Sequence, residues 1–310
     1  MRRTVLVLAS IALISAVLLF KSPRNFPSKT LISVSDGETV NSVAQDLAVK
    51  KIISSEISFK LLMKVFDGKH GVKAGDYYFS SPANIFLVAH RFASGDFGLQ
   101  PIKVTIPEGT NVVEISNIIK SLVPNFGTIQ FVILAKDKEG FLFPDTYYFL
   151  PNVKPQDVID MMANNFDSKI KTIQDKITAF GKPLNDIIKV ASYVEEEARI
   201  TDTRMIIAGI IWKRLDIGMP IQIDSTFQYV NGKNTYALTY DDLQIDSPYN
   251  TYKYKGLTPT PITNPGLEAI TATITPTQTK YLYFLSDKNG EMHYAVTLSE
   301  HNANKAKYLQ

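Results

Sequence analysis

The chain has 310 residues and contains no cysteine. This absence excludes disulfide bonds, a thiol nucleophile, thiolate metal sites and a lipid-modified cysteine. A chain of this length buries enough apolar surface to be stable without disulfides, so a location outside the cytoplasm stays open. The length is also more typical of two domains than of one.

A large excess of one sign of charge is also missing, since 33 basic residues nearly balance 30 acidic residues and the formal net charge is only +3. There is no long run of lysine and arginine and no motif in which aromatic and basic residues alternate. These features exclude a nucleic-acid partner from the prediction. Hydrophobic residues make up 45% and charged residues 20% of the chain, which is ordinary for a globular protein with a full core.

Several catalytic motifs are missing. There is no HExxH zinc motif, no GxSxG nucleophile motif and no glycine-rich phosphate loop. The four histidines are scattered without ligand spacing: His70, His90, His293 and His301. We therefore predict no metal and no cofactor, and carboxylate chemistry is what remains.

The N-terminus carries one apolar run. Arg2 and Arg3 precede an uncharged stretch from Thr4 to Phe20, and Lys21 follows it. A run of about 17 residues is at the lower limit for a membrane-spanning helix. No small-x-small cleavage site lies before the charges, which favours an uncleaved anchor over a signal peptide. With Arg2 and Arg3 held inside, residues 1–24 form the anchor and the bulk of the chain lies outside the cytoplasm.

Residues 25–100 predict a small α+β domain. A strand at Thr30 to Val34 is followed by an Asp36-Gly37 turn and by a helix that Thr39 or Ser42 caps. A second helix follows around Glu56 to Phe66, and a further strand and helix come after it. The pattern is similar to the LysM-like unit of peptidoglycan-associated proteins, although a spacer that binds no glycan fits it equally well.

Three glutamates close a predicted helix that begins near Pro183, a residue suited to a first helical position. At about 100° per residue, Glu195 falls among apolar residues, Glu196 points to solvent and Glu197 lies near the edge of the apolar face. A carboxylate among apolar neighbours has a raised pKa, as a general acid requires. The alternative is that the three glutamates form a solvated helix end.

Beyond Pro220 the composition shifts to loops rich in Tyr, Asn, Gln, Thr and Pro. Such side chains present flat aromatic faces and uncharged hydrogen-bond groups, which suit a sugar chain, although turn chemistry explains many of them without a ligand. Glycosidases ordinarily use two carboxylates. Here Glu195 is the main candidate, with Glu197 and Asp224 as helpers, and a single acid suffices if the nucleophile comes from the substrate.

Six segments together resemble one family. They are EGFLFPDTY at 139–147, ASYVEEE at 191–197, IQIDST at 221–226, SPYNTY at 247–252, the Gly256 to Gly266 loop and EHN at 300–302. In this order they resemble the endolytic murein transglycosylases, the YceG-like family. The resemblance covers nearly the whole chain. The sequence departs from the family pattern at Tyr193, where an aliphatic residue is usual, and at Ser225 and Tyr294.

The resemblance implies a membrane-anchored lytic transglycosylase that cleaves the MurNAc-GlcNAc β-1,4 bond of nascent glycan strands and leaves 1,6-anhydro-MurNAc ends. It implies an α+β fold in which residues 101–310 form a larger, mixed catalytic domain. The catalytic glutamate falls on Glu195. The implied substrate-binding residues are Glu197, Gln222, Asp224, Thr226, Tyr249, Asn250 and Asn264.

The resemblance also implies partners and a location. The partners are peptidoglycan strands, the cell (inner) membrane through a single-pass helix, and the penicillin-binding proteins of the wall-synthesis complex, with the catalytic domain on the extracytoplasmic, periplasmic side. A non-catalytic, membrane-anchored peptidoglycan-binding or scaffold protein is the alternative.

Overall fold

The computed structural model describes residues 21–66, 71–233 and 237–309. The apolar run of the predicted anchor, residues 4–20, lies outside the described residues, as does His70. Among the helices of the described ranges, none is long and apolar enough to cross a bilayer. The described chain forms two compact units, the first ending at residue 103 and the second containing most of the remaining chain.

The first unit also takes in two short later segments, residues 119–126 and 148–154. Its strands β1 (Thr30–Val34) and β2 (Gly75–Phe79) pair antiparallel, and Ile32 lies opposite Tyr77. Its helices are α1 (Val40–Val49), α2 (Glu56–Phe66) and α3 (Ile85–Ser94).

One core holds this unit together, because one face of the sheet and one face of each helix are apolar. The rings of Phe59 and Tyr77 both pack against Phe92 in that core. Thr39 caps α1 as predicted, since its hydroxyl accepts a hydrogen bond of 3.1 Å from the Ser42 amide. The elements occur in the predicted order, and the LysM-like assignment stays a prediction.

The second unit holds the predicted glutamate helix. Three elements have residues assigned to both units: β3 (Ile102–Thr105), α4 (Val112–Leu122) and β4 (Thr146–Phe149). Strands β3 and β4 pair in a two-stranded sheet. The next helices are α5 (Thr128–Ala135), α6 (Pro155–Thr172), α7 (Gln174–Phe180), α8 (Leu184–Glu197), α9 (Thr201–Asp216), α10 (Phe227–Asn231) and α11 (Leu267–Ile274). A hairpin of β5 (Tyr283–Ser286) and β6 (Met292–Ala295) precedes α12 (Leu298–Tyr308).

Helix α8 is the centre of this unit because its apolar residues are almost all buried. It packs against α9 and α11, and Ile188 and Ile211 are both completely buried in the shared core. Pro183 precedes the helix, as the sequence predicted. The residue after the helix, Ala198, is extended, so the chain turns away directly behind the three glutamates.

The predicted α+β class is confirmed by these helices and small two-stranded sheets. The buried, irregular segment expected around Phe143 is also present, since Leu142 and Phe143 are buried and precede β4. The hairpin expected near the C-terminus and its terminal helix are confirmed too, with Thr297 and Glu300 forming a capping box at the start of α12.

Candidate active site

Glu195 lies in the interior of the second unit, and only 1% of its surface is exposed. Arg204 donates a hydrogen bond of 2.6 Å from Nη2 to Glu195 Oε1. The backbone N–H of Gly266 donates to Glu195 Oε2 at 2.9 Å. Both carboxylate oxygens are therefore occupied by donors, one of them a charged group that is itself buried.

The surroundings act on the pKa of Glu195 in opposite directions. Burial raises the pKa, and the charge of Glu108 adds to this increase. The Gly266 amide and the Arg204 guanidinium oppose it, because both stabilise the ionised carboxylate. Burial is the largest of these effects, so the pKa of Glu195 lies above its ordinary value even with both donors in place.

Arg204 connects the glutamate to three parts of the fold. Besides Glu195 it donates to Ala198 O at 3.0 Å and, from Nη1, to Glu268 Oε2 at 3.0 Å. The end of α8, the start of α9 and the start of α11 are held together in this way. Glu195 is thus one member of a buried, charged network that fixes the loop ahead of α11.

Glu197 is placed differently, at the very end of α8 and only half-buried. The hydroxyl of Ser225 donates to Glu197 Oε1 at 3.1 Å. Burial, followed by the charge of Asp224, raises the pKa of Glu197 to about 7. A carboxyl group with that pKa retains a proton near neutral pH and is reachable from outside, which is what a general acid needs.

Asp224 stands beside this group in a short helical turn, Asp224–Thr226. It is half-buried and accepts a hydrogen bond from the hydroxyl of Tyr252. Burial raises its pKa, while the Tyr252 hydroxyl and the charge of Lys305 oppose the shift. Glu197 and Asp224 form a pair of carboxyl groups whose charges interact, the first of them carrying the more readily available proton.

Glu196 does not point to solvent, and the sequence-based expectation was wrong. The side chain is half-buried, and a Cβ added to Gly109 would lie 2.8 Å from its Oε1. Burial raises the pKa of Glu196 to about 7, and the charges of Glu195 and Glu114 contribute. Helical periodicity placed Glu196 on the side of α8 away from its core, but Gly109 and Glu114 lie near that side in the folded chain.

The chain matches the YceG-like family over residues 32–307. It belongs to that family. The chain is 32% identical to the endolytic murein transglycosylase of Bacillus subtilis over 316 residues, which covers 93% of the chain and 87% of that protein. It is 32% identical to the endolytic murein transglycosylase of Streptococcus pneumoniae over 209 residues, 64% of the chain and 38% of that protein.

One solved structure has the same fold. The crystal structure of a YceG-like protein from Listeria monocytogenes superposes with a TM-score of 0.59 at 28% identity. The match covers 89% of this chain and 99% of the Listeria chain. The family resemblance that the sequence motifs indicated is thereby confirmed.

Three of the predicted substrate-binding residues of this YceG-like chain are fully buried and bonded to protein groups. Thr226 donates to Ile223 O at 2.7 Å. The side chain of Asn250 donates to Leu243 O at 3.0 Å and to Ile245 O at 2.8 Å. These contacts shape the loops around Asp224, and they give no support to direct contact with a substrate.

Asn264, the third of these residues, crosslinks distant backbone. Its Nδ2 donates to Thr110 O at 2.9 Å and to Glu139 Oε1 at 2.8 Å, and its Oδ1 accepts from Leu142 N at 2.9 Å. All three side-chain positions are used within the protein. Asn264 therefore holds the second unit's segments in register, and its predicted role in substrate binding finds no support in this arrangement.

Gln222 and Tyr249 remain available to a ligand because both are half-buried. Gln222 has a φ of +53°, and its Oε1 accepts from Arg214 Nη1 at 3.2 Å. The Tyr249 ring stacks on Tyr229 with centroids 5.0 Å apart, and its hydroxyl lies 2.9 Å from Thr260 Oγ1. A stacked tyrosine pair gives a rigid aromatic surface beside the loops.

Glu139 is the polar residue that the sequence reasoning did not single out. It is 6% exposed and accepts hydrogen bonds from Tyr229 Oη at 2.6 Å and from Val112 N at 3.1 Å. Burial raises its pKa to about 7. Its position in the EGFLFPDTY segment, which resembles the family, could have indicated a functional role. A glutamate beside glycine in an apolar stretch is, however, also typical of an ordinary loop.

One cluster in the C-terminal hairpin brings metal-type ligands together. Asp287, Glu291 and His293 each offer one ligand atom, and these atoms lie within 4.8 Å of one another. The Asp287 carboxylate already accepts from Asn289 N at 2.8 Å and pairs with His293 Nε2 at 3.1 Å. The closure of the hairpin turn explains this arrangement without an ion.

Proposed function

We propose that this YceG-like chain is a lytic transglycosylase that cleaves the MurNAc-GlcNAc β-1,4 bond of peptidoglycan strands and leaves a 1,6-anhydro-MurNAc end. The single observation that carries the proposal is Glu197, a half-buried carboxyl group with a pKa of about 7 between Ser225 and Asp224. The names of its relatives, endolytic murein transglycosylases, supply the substrate class.

The reaction needs one group that first gives and then takes a proton. Glu197 donates its proton to the glycosidic oxygen as the bond from C1 of MurNAc to that oxygen breaks, so GlcNAc leaves as an alcohol. The C6 hydroxyl oxygen of the same MurNAc then bonds to C1, and its proton passes to the Glu197 carboxylate. Glu197 is regenerated in its acid form and no water is consumed.

The choice of Glu197 over Glu195 rests on access and charge. Glu195 is 1% exposed, and both of its oxygens are bonded to donors, Arg204 and the Gly266 amide. A group that is buried and bonded in this way has no open path to a sugar. The sequence-based assignment of catalysis to Glu195 stays a prediction, and the geometry favours Glu197 as the acid with Glu195 as a positioning residue.

Asp224 has a distinct part in this proposal. Its negative charge lies close enough to help raise the pKa of Glu197, which keeps the acid protonated. The hydrogen bond from the Tyr252 hydroxyl stabilises the ionised form of Asp224. If the pair bound a water molecule instead of excluding it, hydrolysis would replace anhydro formation, so the product distinguishes the two chemistries.

Location and partners belong to the same proposal. The apolar run from Thr4 to Phe20 anchors the chain as a single pass in the cell membrane, with both compact units outside the cytoplasm. An anchored enzyme meets glycan strands where they are made, which fits a role in ending their growth. The LysM-like first unit and the penicillin-binding proteins are the proposed glycan-binding element and neighbouring partners.

The deciding experiment is mass spectrometry of glycan strands after incubation with the full-length chain. We expect ends that lack one water relative to a reducing sugar. A hydrated reducing end would contradict the transglycosylase chemistry and make Asp224 a base for water. A folded chain that sediments with peptidoglycan and releases no fragment would instead support the alternative, a binding or scaffold protein.

A further inference from the structure

Helix α2 of the first unit is apolar on two opposite faces. Phe59 and Met63 are buried in the core of the unit. Ile57, Leu61 and Val65 lie on the other side with exposed fractions of 72%, 58% and 76%. At about 100° per residue, Leu61 points directly away from the midpoint between the two core residues.

The three exposed residues form one continuous row. They are spaced four residues apart, so they follow each other along the helix over about 12 Å. Isolated apolar residues at a surface are normal, but a row on the face opposite the core marks a contact surface. We call Ile57, Leu61 and Val65 the outer row of α2.

Lysines border the outer row on one side. Lys60 and Lys64 stand between it and the buried face, and Lys60 forms an ion pair of 3.4 Å with Glu56. Lysine side chains lay their apolar stems along such a surface and carry the ammonium group outward. An apolar row with an ammonium border matches the boundary between lipid acyl chains and phosphate headgroups.

The short distance along the chain between the proposed anchor and the first unit indicates that the membrane is the partner close to the outer row. Phe26 packs its ring 5.7 Å from that of Phe79, and its amide donates to Pro23 O at 3.1 Å. Phe26 lies only six positions after Phe20, the end of the apolar run, and this distance along the chain spans at most about 20 Å. A unit of this size is about 30 Å across, so its faces stay close to the bilayer.

We propose that the outer row of α2 inserts into the headgroup region of the membrane that anchors the chain, so that the first unit lies on the bilayer instead of extending from it. This inference rests on the anchor in the proposed function but not on the catalytic assignment. Because the tether already holds the unit near the lipid, three side chains suffice, although they would not retain a free protein.

The test uses the full-length chain in phospholipid vesicles. Since the chain has no cysteine, Leu61→Cys provides a unique site for an environment-sensitive fluorophore. Ser33→Cys is the matched control, because Ser33 is exposed on β1 between the buried Ile32 and Val34 and so faces away from the same core. We expect lipids with a quencher near the headgroup to quench the label at position 61 several-fold more than the label at position 33.

A second variant shows whether the row causes the contact. Ile57→Asn with Val65→Asn, added to Leu61→Cys, should abolish the extra quenching while the melting temperature stays unchanged. Equal quenching at positions 61 and 33, quenching that survives the double change, or a chain that does not float with vesicles would each overturn the proposal.

Two further outcomes separate this proposal from others. Disulfide crosslinking between two Leu61→Cys chains without lipid quenching would identify a second copy as the occupant and overturn the membrane contact. Glycan cleavage is followed in the same samples. Loss of cleavage with retained quenching would contradict the proposed catalytic function and leave the membrane contact supported. Retained cleavage without quenching would contradict the membrane contact alone.

Discussion

Replacing Glu195 and Glu197 by Gln, one at a time, tests the proposal that Glu197 is the acid and Glu195 a positioning residue. Both changes keep the shape of the side chain and remove its ability to gain or lose a proton. The two residues lie two positions apart on α8, so each variant is the control for the other. The structure predicts different outcomes for stability and similar outcomes for activity, each for its own reason.

Glu195→Gln leaves the buried Arg204 without its closest negative partner. Breaking a buried ion pair costs about 3–5 kcal/mol, and the remaining contact with Glu268 keeps the expected loss near the lower end, at about 3 kcal/mol. For a domain of this size about 1 kcal/mol corresponds to roughly 2–4 °C, so the melting temperature should fall by about 6–12 °C. Activity falls because the loop before α11 is no longer held.

Glu197→Gln should leave the melting temperature unchanged or slightly higher. Its folded pKa of about 7 lies above the ordinary value of 4.5, so the unfolded chain ionises first as the pH rises. The stability that protonated Glu197 contributes is therefore complete below the lower value and is lost as the pH rises toward the folded pKa. Glu197→Gln removes this pH dependence of stability. Because the variant also lacks the proton donor, we expect its turnover to fall by about 10²–10⁴-fold.

The assay combines thermal unfolding at pH 5 and pH 8 with mass spectrometry of released glycan ends. A Glu197→Gln variant that cleaves at the normal rate would refute the assignment of the acid. A Glu195→Gln variant that is as stable as the unchanged chain yet inactive would return the catalytic role to Glu195. Either result would show that burial and ion pairing are a poor guide to the proton donor here.

Three other predictions concern neighbouring groups. Asp224→Asn removes a charge that raises the Glu197 pKa, so the alkaline limb of the rate profile should move to lower pH, and an unmoved limb would contradict the pairing. Gly109→Ala should destabilise the fold by about 1–3 kcal/mol, measured by denaturant unfolding, because φ is +78° and the added Cβ would meet Glu196. Asn250→Ala should lower the melting temperature more than it changes substrate affinity, because its amide bonds only to the loop backbone.

Local patterns in the sequence predicted much of the architecture. Apolar periodicity and Pro183 located α8, and the alternating residues of Thr30 to Val34 located β1. The hairpin at β5 and β6 followed from its turn residues. These elements were predictable because near neighbours along the chain determine helix and strand formation.

The roles of the three glutamates were less predictable. Periodicity placed Glu195 on the apolar face correctly, but the same reasoning sent Glu196 to solvent, although its side chain is half-buried close to Gly109. The family resemblance implied that Asn264 and Thr226 bind substrate, yet Asn264 joins distant segments of the chain and Thr226 bonds to the nearby backbone of Ile223. No local pattern distinguishes a polar group that binds substrate from one that binds the protein.

The sequence alone determined the kind of chemistry and where its residues lie along the chain. Without cysteine or a metal motif, carboxylates had to carry the reaction, and three of them close α8. Only the tertiary structure decided the surroundings of each of them. Arg204 and Gly266, which are 9 and 71 residues from Glu195, donate to its buried carboxyl group, while burial and the charge of Asp224 raise the pKa of Glu197. A pKa depends on burial and on neighbouring charges, and folding sets both.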